Sequence, residues 1–196
     1  MTRKILALFF IVLSGATVFV ACSETPGRNT TANPILDSAA LVSRGQYLVT
    51  TTGCDDCHSP KRMGPNGPEI IAETRLSGYP QNAPMPKLNL SEVKKGFLMF
   101  MPDLTAAVGP WGISFAANLT PDATGTGNWT EENFIRALRH GKFKGLENSR
   151  DLLPPMPWTA YRNMTDTDLR SIFAYLRTIK PVENQVPAPK PLISIN

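Results

Sequence analysis

Cys54-Asp55-Asp56-Cys57-His58 decides how this chain is read. Two cysteines stand with two residues between them, and a histidine follows the second directly. This C-x-x-C-H spacing is the attachment signature of a c-type haem. The two thiols can add to the two vinyl groups of one porphyrin. His58 is then carried beneath the ring, where an imidazole nitrogen can bind iron. One turn of chain thus supplies both covalent links and one axial ligand.

Three other readings of the pair fit the rest of the chain less well. Zinc needs a second pair of ligands. Beyond the motif only Cys22 and His140 remain, because the chain has three cysteines and two histidines. A redox dithiol is expected at the start of a helix in a βαβ unit, and no such strands are read here. A plain disulfide leaves the adjacent His58 and a later methionine-bearing loop without a purpose. Haem attachment uses both.

The chain opens with Met1-Thr2-Arg3-Lys4, followed by an apolar run over residues 5–21 and then Cys22. A positive start, an apolar middle and a small residue at the end make a secretory signal peptide over residues 1–21. Val18-Phe19-Val20-Ala21-Cys22 resembles the lipobox of bacterial lipoproteins, with Phe19 as a departure from that pattern. On this reading Cys22 is lipidated and becomes the mature N-terminus. A cut at another small residue, or an uncleaved anchor, also places the rest of the chain outside the cytoplasm; with Cys22 lipidated, the expected location is the periplasmic side, tethered to the membrane. Setting Arg3 and Lys4 aside leaves 18 basic residues against 16 acidic ones. So small an excess, with no clustered basic face, gives no support for nucleic-acid binding.

Residues 22–37 contain Thr, Asn and Pro without apolar periodicity and read as a flexible tether. A single domain is expected over residues 38–182, with a Pro-rich tail over 183–196. Helices are expected over 39–51, 131–140 and 166–179. The first presents Leu41, Gly45 and Leu48 on one face. The second takes Thr130 as N-cap, Phe134, Ile135 and Leu138 as its apolar face, and Gly141 as its stop. The third pairs Thr165 with Asp168 in a capping-box pattern and repeats Leu169, Ile172, Phe173 and Leu176. The stretch 59–118 is rich in proline and glycine and reads as a long loop insertion. No run shows convincing strand alternation, so the expected fold class is all-α.

The second axial position has six methionines, Met63, Met85, Met99, Met101, Met156 and Met164, and His140 as candidates. Most methionines fill cores. Met156 differs by context: Leu152-Leu153-Pro154-Pro155-Met156-Pro157-Trp158 places prolines on both sides of it. Proline limits a loop to few conformations, which suits holding a weak thioether bond to iron. Met164 reads as packing at a helix start. His140 reads as a charge at a helix C-terminus.

Together these residues resemble a bacterial c-type cytochrome carrying one haem. More narrowly, the chain is similar to the cytochrome c domains in the cytochrome subunits of membrane-associated dehydrogenases. The resemblance spans residues 44–187. It rests on Arg44-Gly45-Gln46-Tyr47-Leu48, the Cys54–His58 motif, Asn118-Leu119-Thr120-Pro121-Asp122, Gly127-Asn128-Trp129-Thr130, Pro155-Met156-Pro157-Trp158 and Ala174-Tyr175-Leu176-Arg177. It implies a cytochrome c fold with crossing first and last helices. It also implies one covalent haem c held by Cys54 and Cys57, iron ligation by His58 and Met156, and single-electron transfer rather than catalysis. Implied partners are membrane or periplasmic redox proteins. The alternatives are a fixed electron-transfer subunit of a membrane dehydrogenase or oxidase, and a haem enzyme or sensor with an open sixth position.

Overall fold

The computed structural model describes residues 37–194. The expected signal peptide, the tether and Cys22 lie outside the described residues, apart from Asp37. In chain order the elements are helix α1 (Ser38–Thr51), helix α2 (Cys54–His58), strands β1 (Lys61–Gly64) and β2 (Gly67–Ile70), and helix α3 (Leu90–Lys94). Strands β3 (Met99–Phe100), β4 (Ala106–Gly109) and β5 (Gly112–Phe115) follow, then helices α4 (Glu131–His140), α5 (Trp158–Tyr161) and α6 (Asp166–Leu176).

Local chemistry explains the helix ends. Asp37 caps α1 by accepting from the Ala40 N–H at 2.7 Å. Thr130 and Asn133 form a reciprocal capping box on α4, and Gly141 ends that helix in the left-handed conformation. Thr165 caps α6 through the Asp168 N–H at 3.1 Å. The Asp168 carboxylate does not complete a box there; it accepts from Arg44 Nε on α1 at 2.9 Å. The chain leaves regular helix at Leu176, three residues before the expected end.

The core lies between α1, α4 and α6. Leu48 and Val49 meet Phe134, Leu138, Leu169, Ile172, Phe173 and Leu176 in one apolar cluster. Each such side chain, fully buried, stabilises the fold by about 1.5–3 kcal/mol. Gly45 is the closest approach of α1 to α6: a Cβ there would overlap the Ser171 carbonyl and the Tyr175 Cβ.

The all-α expectation is wrong. Residues 59–118 build two small antiparallel sheets, β1–β2 and β3–β4–β5. The strands are two to four residues long, too short to display a period. All of β4 is buried, so its sequence carries no polar–apolar alternation. The β1–β2 and β4–β5 hairpins close through two-residue links, Pro65-Asn66 and Pro110-Trp111, and β3–β4 through a longer one. The dipeptide Asn66-Gly67 was the one available strand signal.

Val93, Val108 and Ile113 form a second apolar cluster under these strands. The C-terminal tail is strapped to it. Ile113 and Lys190 exchange backbone hydrogen bonds of 2.8 and 3.1 Å, and Leu192 packs against the cluster. Asn184 is 6% exposed and donates to the Ser77 and Tyr79 carbonyls. The tail therefore fastens the insertion rather than only lying over the surface.

Candidate functional site

Gly53, in the left-handed conformation, turns the chain from α1 directly into α2. This five-residue helix carries Cys54, Cys57 and His58 together. Cys54 and Cys57 are free thiols, not joined to each other. Burial pushes both thiols above the ordinary cysteine range, so both are protonated at neutral pH. Among the described residues no three His, Cys, Asp or Glu side chains converge as a metal-binding cluster.

His58 is 9% exposed. Its Nδ1 lies 2.8 Å from the Ala117 carbonyl. A carbonyl only accepts, so Nδ1 carries the proton and Nε2 presents the lone pair. Burial lowers the affinity of this ring for a second proton, outweighing the bond to Ala117. The imidazole is thus held neutral, which is the form that binds a metal. The Ala117 carbonyl is itself fixed. Tyr79 N–H donates to Ala116 at 3.0 Å, and Gly78 N–H donates to the His58 carbonyl at 2.7 Å. A Cβ at Gly78 would overlap the backbone of Ala116 and Ala117, so this approach requires glycine. Asn118, 4% exposed, accepts from Thr120 N–H at 2.9 Å and donates to the Val182 carbonyl at 2.8 Å.

The two acidic residues inside the motif behave differently. Asp55 is gripped by Arg75 through two bonds, Nε to Oδ1 at 2.9 Å and Nη2 to Oδ2 at 2.6 Å. Ser59 Oγ donates to the same carboxylate at 2.7 Å and accepts from Leu76 N–H at 2.9 Å. Arg75 also donates to the Tyr175 hydroxyl on α6 at 2.6 Å. The Arg75 guanidinium is held above its ordinary range, chiefly by Asp55. A two-point charged pair fixes orientation as well as distance. It ties α2 to α6. Asp56 contributes its carbonyl instead. Lys61 Nζ lies within 3.1 Å of the carbonyls of Asp55, Asp56, Ser59 and Asp103. A cation there complements the negative end of α2.

The structure sorts the methionines. Met63 is 70% exposed. Met85 and Met99 pack on the second cluster, away from the motif-bearing core. Met156 and Met164 pack, with Cys54, against the main cluster. Met164 directly precedes the α6 N-cap, where it serves as a packing residue. Met156 lies in a loop pinned at two points. Ser114 Oγ donates to the Pro154 carbonyl at 2.6 Å, and the Tyr161 hydroxyl donates to the Thr52 carbonyl at 2.7 Å. Burial pushes the Tyr161 hydroxyl up to about 12, so it keeps the proton it donates. His140 is exposed at the end of α4.

The family model for cytochrome c matches residues 42–180. The chain belongs to the cytochrome c family. This membership implies a covalently bound haem c and an electron-transfer role. The chain is 31% identical over 182 residues to the fructose dehydrogenase cytochrome subunit of Gluconobacter japonicus, covering 89% of this chain and 29% of that one. It is 30% identical over 145 residues to the gluconate 2-dehydrogenase cytochrome c subunit of Pantoea cypripedii, covering 73% and 24%. It is 37% identical over 164 residues to the cytochrome c subunit of the quinone alcohol dehydrogenase of Gluconacetobacter polyoxogenes, covering 83% and 27%. The chain spans less than a third of the length of these curated relatives.

The residues of this cytochrome fit the group. The two thiols are unbridged on one helix, His58 has its Nδ1 engaged and its Nε2 free of hydrogen bonds, and Cys54 shares an apolar cluster with Met156. Asp55, Arg75, Tyr175, Ala117 and Ser114 were not found from sequence. Each partnership links positions 20 to 100 residues apart or rests on a backbone carbonyl, and no local spacing signals either.

Proposed function

We propose that this cytochrome is a single-electron carrier with one haem c, attached through Cys54 and Cys57, and with His58 and Met156 as axial ligands. The observation that carries the reading is His58, whose Nδ1 bond to Ala117 aims a neutral Nε2 from the helix that also bears both thiols. The shared cluster of Cys54 and Met156 supports the second ligand. When bound, the haem supplies an iron that moves between ferric and ferrous states, and a methionine ligand raises its potential. The chain's own residues fix the helix, orient the imidazole and hold the methionine loop. The main apolar cluster excludes water from the face they share.

The test is absorption spectroscopy of the ferric protein. The parent should show a Met–iron charge-transfer band, and Met156→Ala should abolish it completely. Absence of the band from the parent, or its survival in the variant, would overturn the axial assignment.

On this reading the chain is not itself an enzyme, and residues 38–182 are the haem domain. Its partners are redox proteins at the periplasmic face of a membrane. The relatives named as dehydrogenase cytochrome subunits favour a place beside a dehydrogenase. Co-purification in mild detergent separates a fixed subunit from a diffusing carrier. Among the described residues no helix is long and apolar enough to cross a membrane. The proposed tether is a lipid on Cys22, supported by Ala21-Cys22 after the apolar run. Labelled palmitate should be incorporated by the parent and not by Cys22→Ser; equal labelling of both would remove Cys22 from this role.

A further inference from the structure

The 59–118 insertion reaches His58 and the loop that carries Met156 through two residues three positions apart, Ala117 and Ser114. Ser114, on β5, donates to the carbonyl of Pro154 in the Met156 loop at 2.6 Å. Ala117, just past β5, accepts from His58 Nδ1 at 2.8 Å. A side-chain hydroxyl has one proton to give. Ser114 Oγ has a second acceptor, the Ala107 carbonyl, but at 3.4 Å. The indole N–H of Trp111 donates to Ser114 Oγ at 3.1 Å, occupying a lone pair and leaving the proton for Pro154. Ser114 is 9% exposed, and β4 behind it is buried throughout. The hydroxyl therefore works against a fixed backing.

We propose that Ser114 is a positioning residue for Met156, and that the β4–β5 hairpin is a strut coupling the two faces of the haem. The proposal rests on Met156 as axial ligand. A thioether would hold iron weakly, so the hold on the loop carrying Met156 would set how readily that ligand is displaced. The Ser114 bond biases that loop towards its closed position. The Tyr161 bond to Thr52 anchors the far side of the same loop, so Ser114 governs the near side.

Exogenous imidazole competes with the methionine only when the loop opens, so its apparent affinity for the ferric protein reports the opening equilibrium. Ser114→Ala should bind imidazole about 3- to 10-fold more tightly, the change expected for losing one intramolecular hydrogen bond. Trp111→Phe keeps an aromatic ring but removes the N–H, and should move the affinity in the same direction. Ser149→Ala is the control. Its hydroxyl makes a 2.7 Å bond to the Phe143 carbonyl outside this strut, so it should leave imidazole affinity unchanged while probing general destabilisation. A parent with its Met–iron band, but with unchanged affinity in Ser114→Ala, overturns the strut and leaves the ligand assignment standing. Equal tightening in Ser149→Ala also overturns it. A parent without the band overturns both readings.

Discussion

Replacing Cys54 and Cys57 together with alanine should yield a protein whose haem passes wholly into acidified organic solvent, while the parent should retain its haem. The effect is all or none because a thioether survives denaturation and axial ligation does not. On the proposed attachment, acid would unfold the parent and protonate His58, yet two carbon–sulfur bonds would persist. In the double variant, retention would rest on His58, Met156 and apolar contact, all lost on unfolding. Each single variant should keep its haem through the remaining thioether. Its pyridine haemochrome spectrum should shift by one unsaturated vinyl group. The double substitution leaves the helix in place: Cys54 gives up a 3.6 Å contact with Thr52 Oγ1 and part of its packing on the main cluster, and Asp55, Ser59 and Lys61 still hold α2. Haem extractable from the parent would sink the covalent model.

The three longest helices of this fold, α1, α4 and α6, were legible because their signals are local. Thr130 and Gly141 bracket α4 within a dozen residues, and the apolar spacing of Leu169, Ile172, Phe173 and Leu176 shows which face of α6 is buried. The haem motif is equally local. The insertion was not legible, because its strands are specified by pairing rather than by pattern. Val108 faces Ile113 across a hairpin whose members are all buried or nearly so; β4 does not alternate, and β5 is too short at four residues to establish a period. The supports of the site were hidden for a related reason. Asp55 and Asp56 look alike as acidic neighbours of cysteine. Only the fold brings Arg75 to one of them and leaves the other to offer its carbonyl to Lys61. Ala117 and Pro154 act through their backbones, so no side-chain chemistry marks them.

Gly45→Val should destabilise the protein by about 3 kcal/mol, at the upper end of overpacking costs. That lowers the thermal midpoint by roughly 6–12 °C for a chain of this size. Two effects oppose each other. Valine is a better helix former than glycine by about 0.3–0.5 kcal/mol, which favours the variant. Against this, the new Cβ would overlap the Ser171 carbonyl and the Tyr175 Cβ. A backbone carbonyl and a first side-chain carbon cannot rotate away, so α1 must lift from α6. Leu48 and Val49, one turn further along α1, would lose contact with the main cluster, and the Arg44–Asp168 bond would stretch. The overlap outweighs the propensity gain several-fold. Gln46→Val is the matched control: it puts the same β-branched side chain on the exposed face of α1 and should cost under about 1 kcal/mol. An unchanged or raised midpoint in Gly45→Val would mean that α1 and α6 do not meet at this glycine. A large loss confined to Gly45→Val identifies the helix contact as the step on which the α2 haem motif depends, because Cys54 begins only two residues after the α1 C-cap at Thr52.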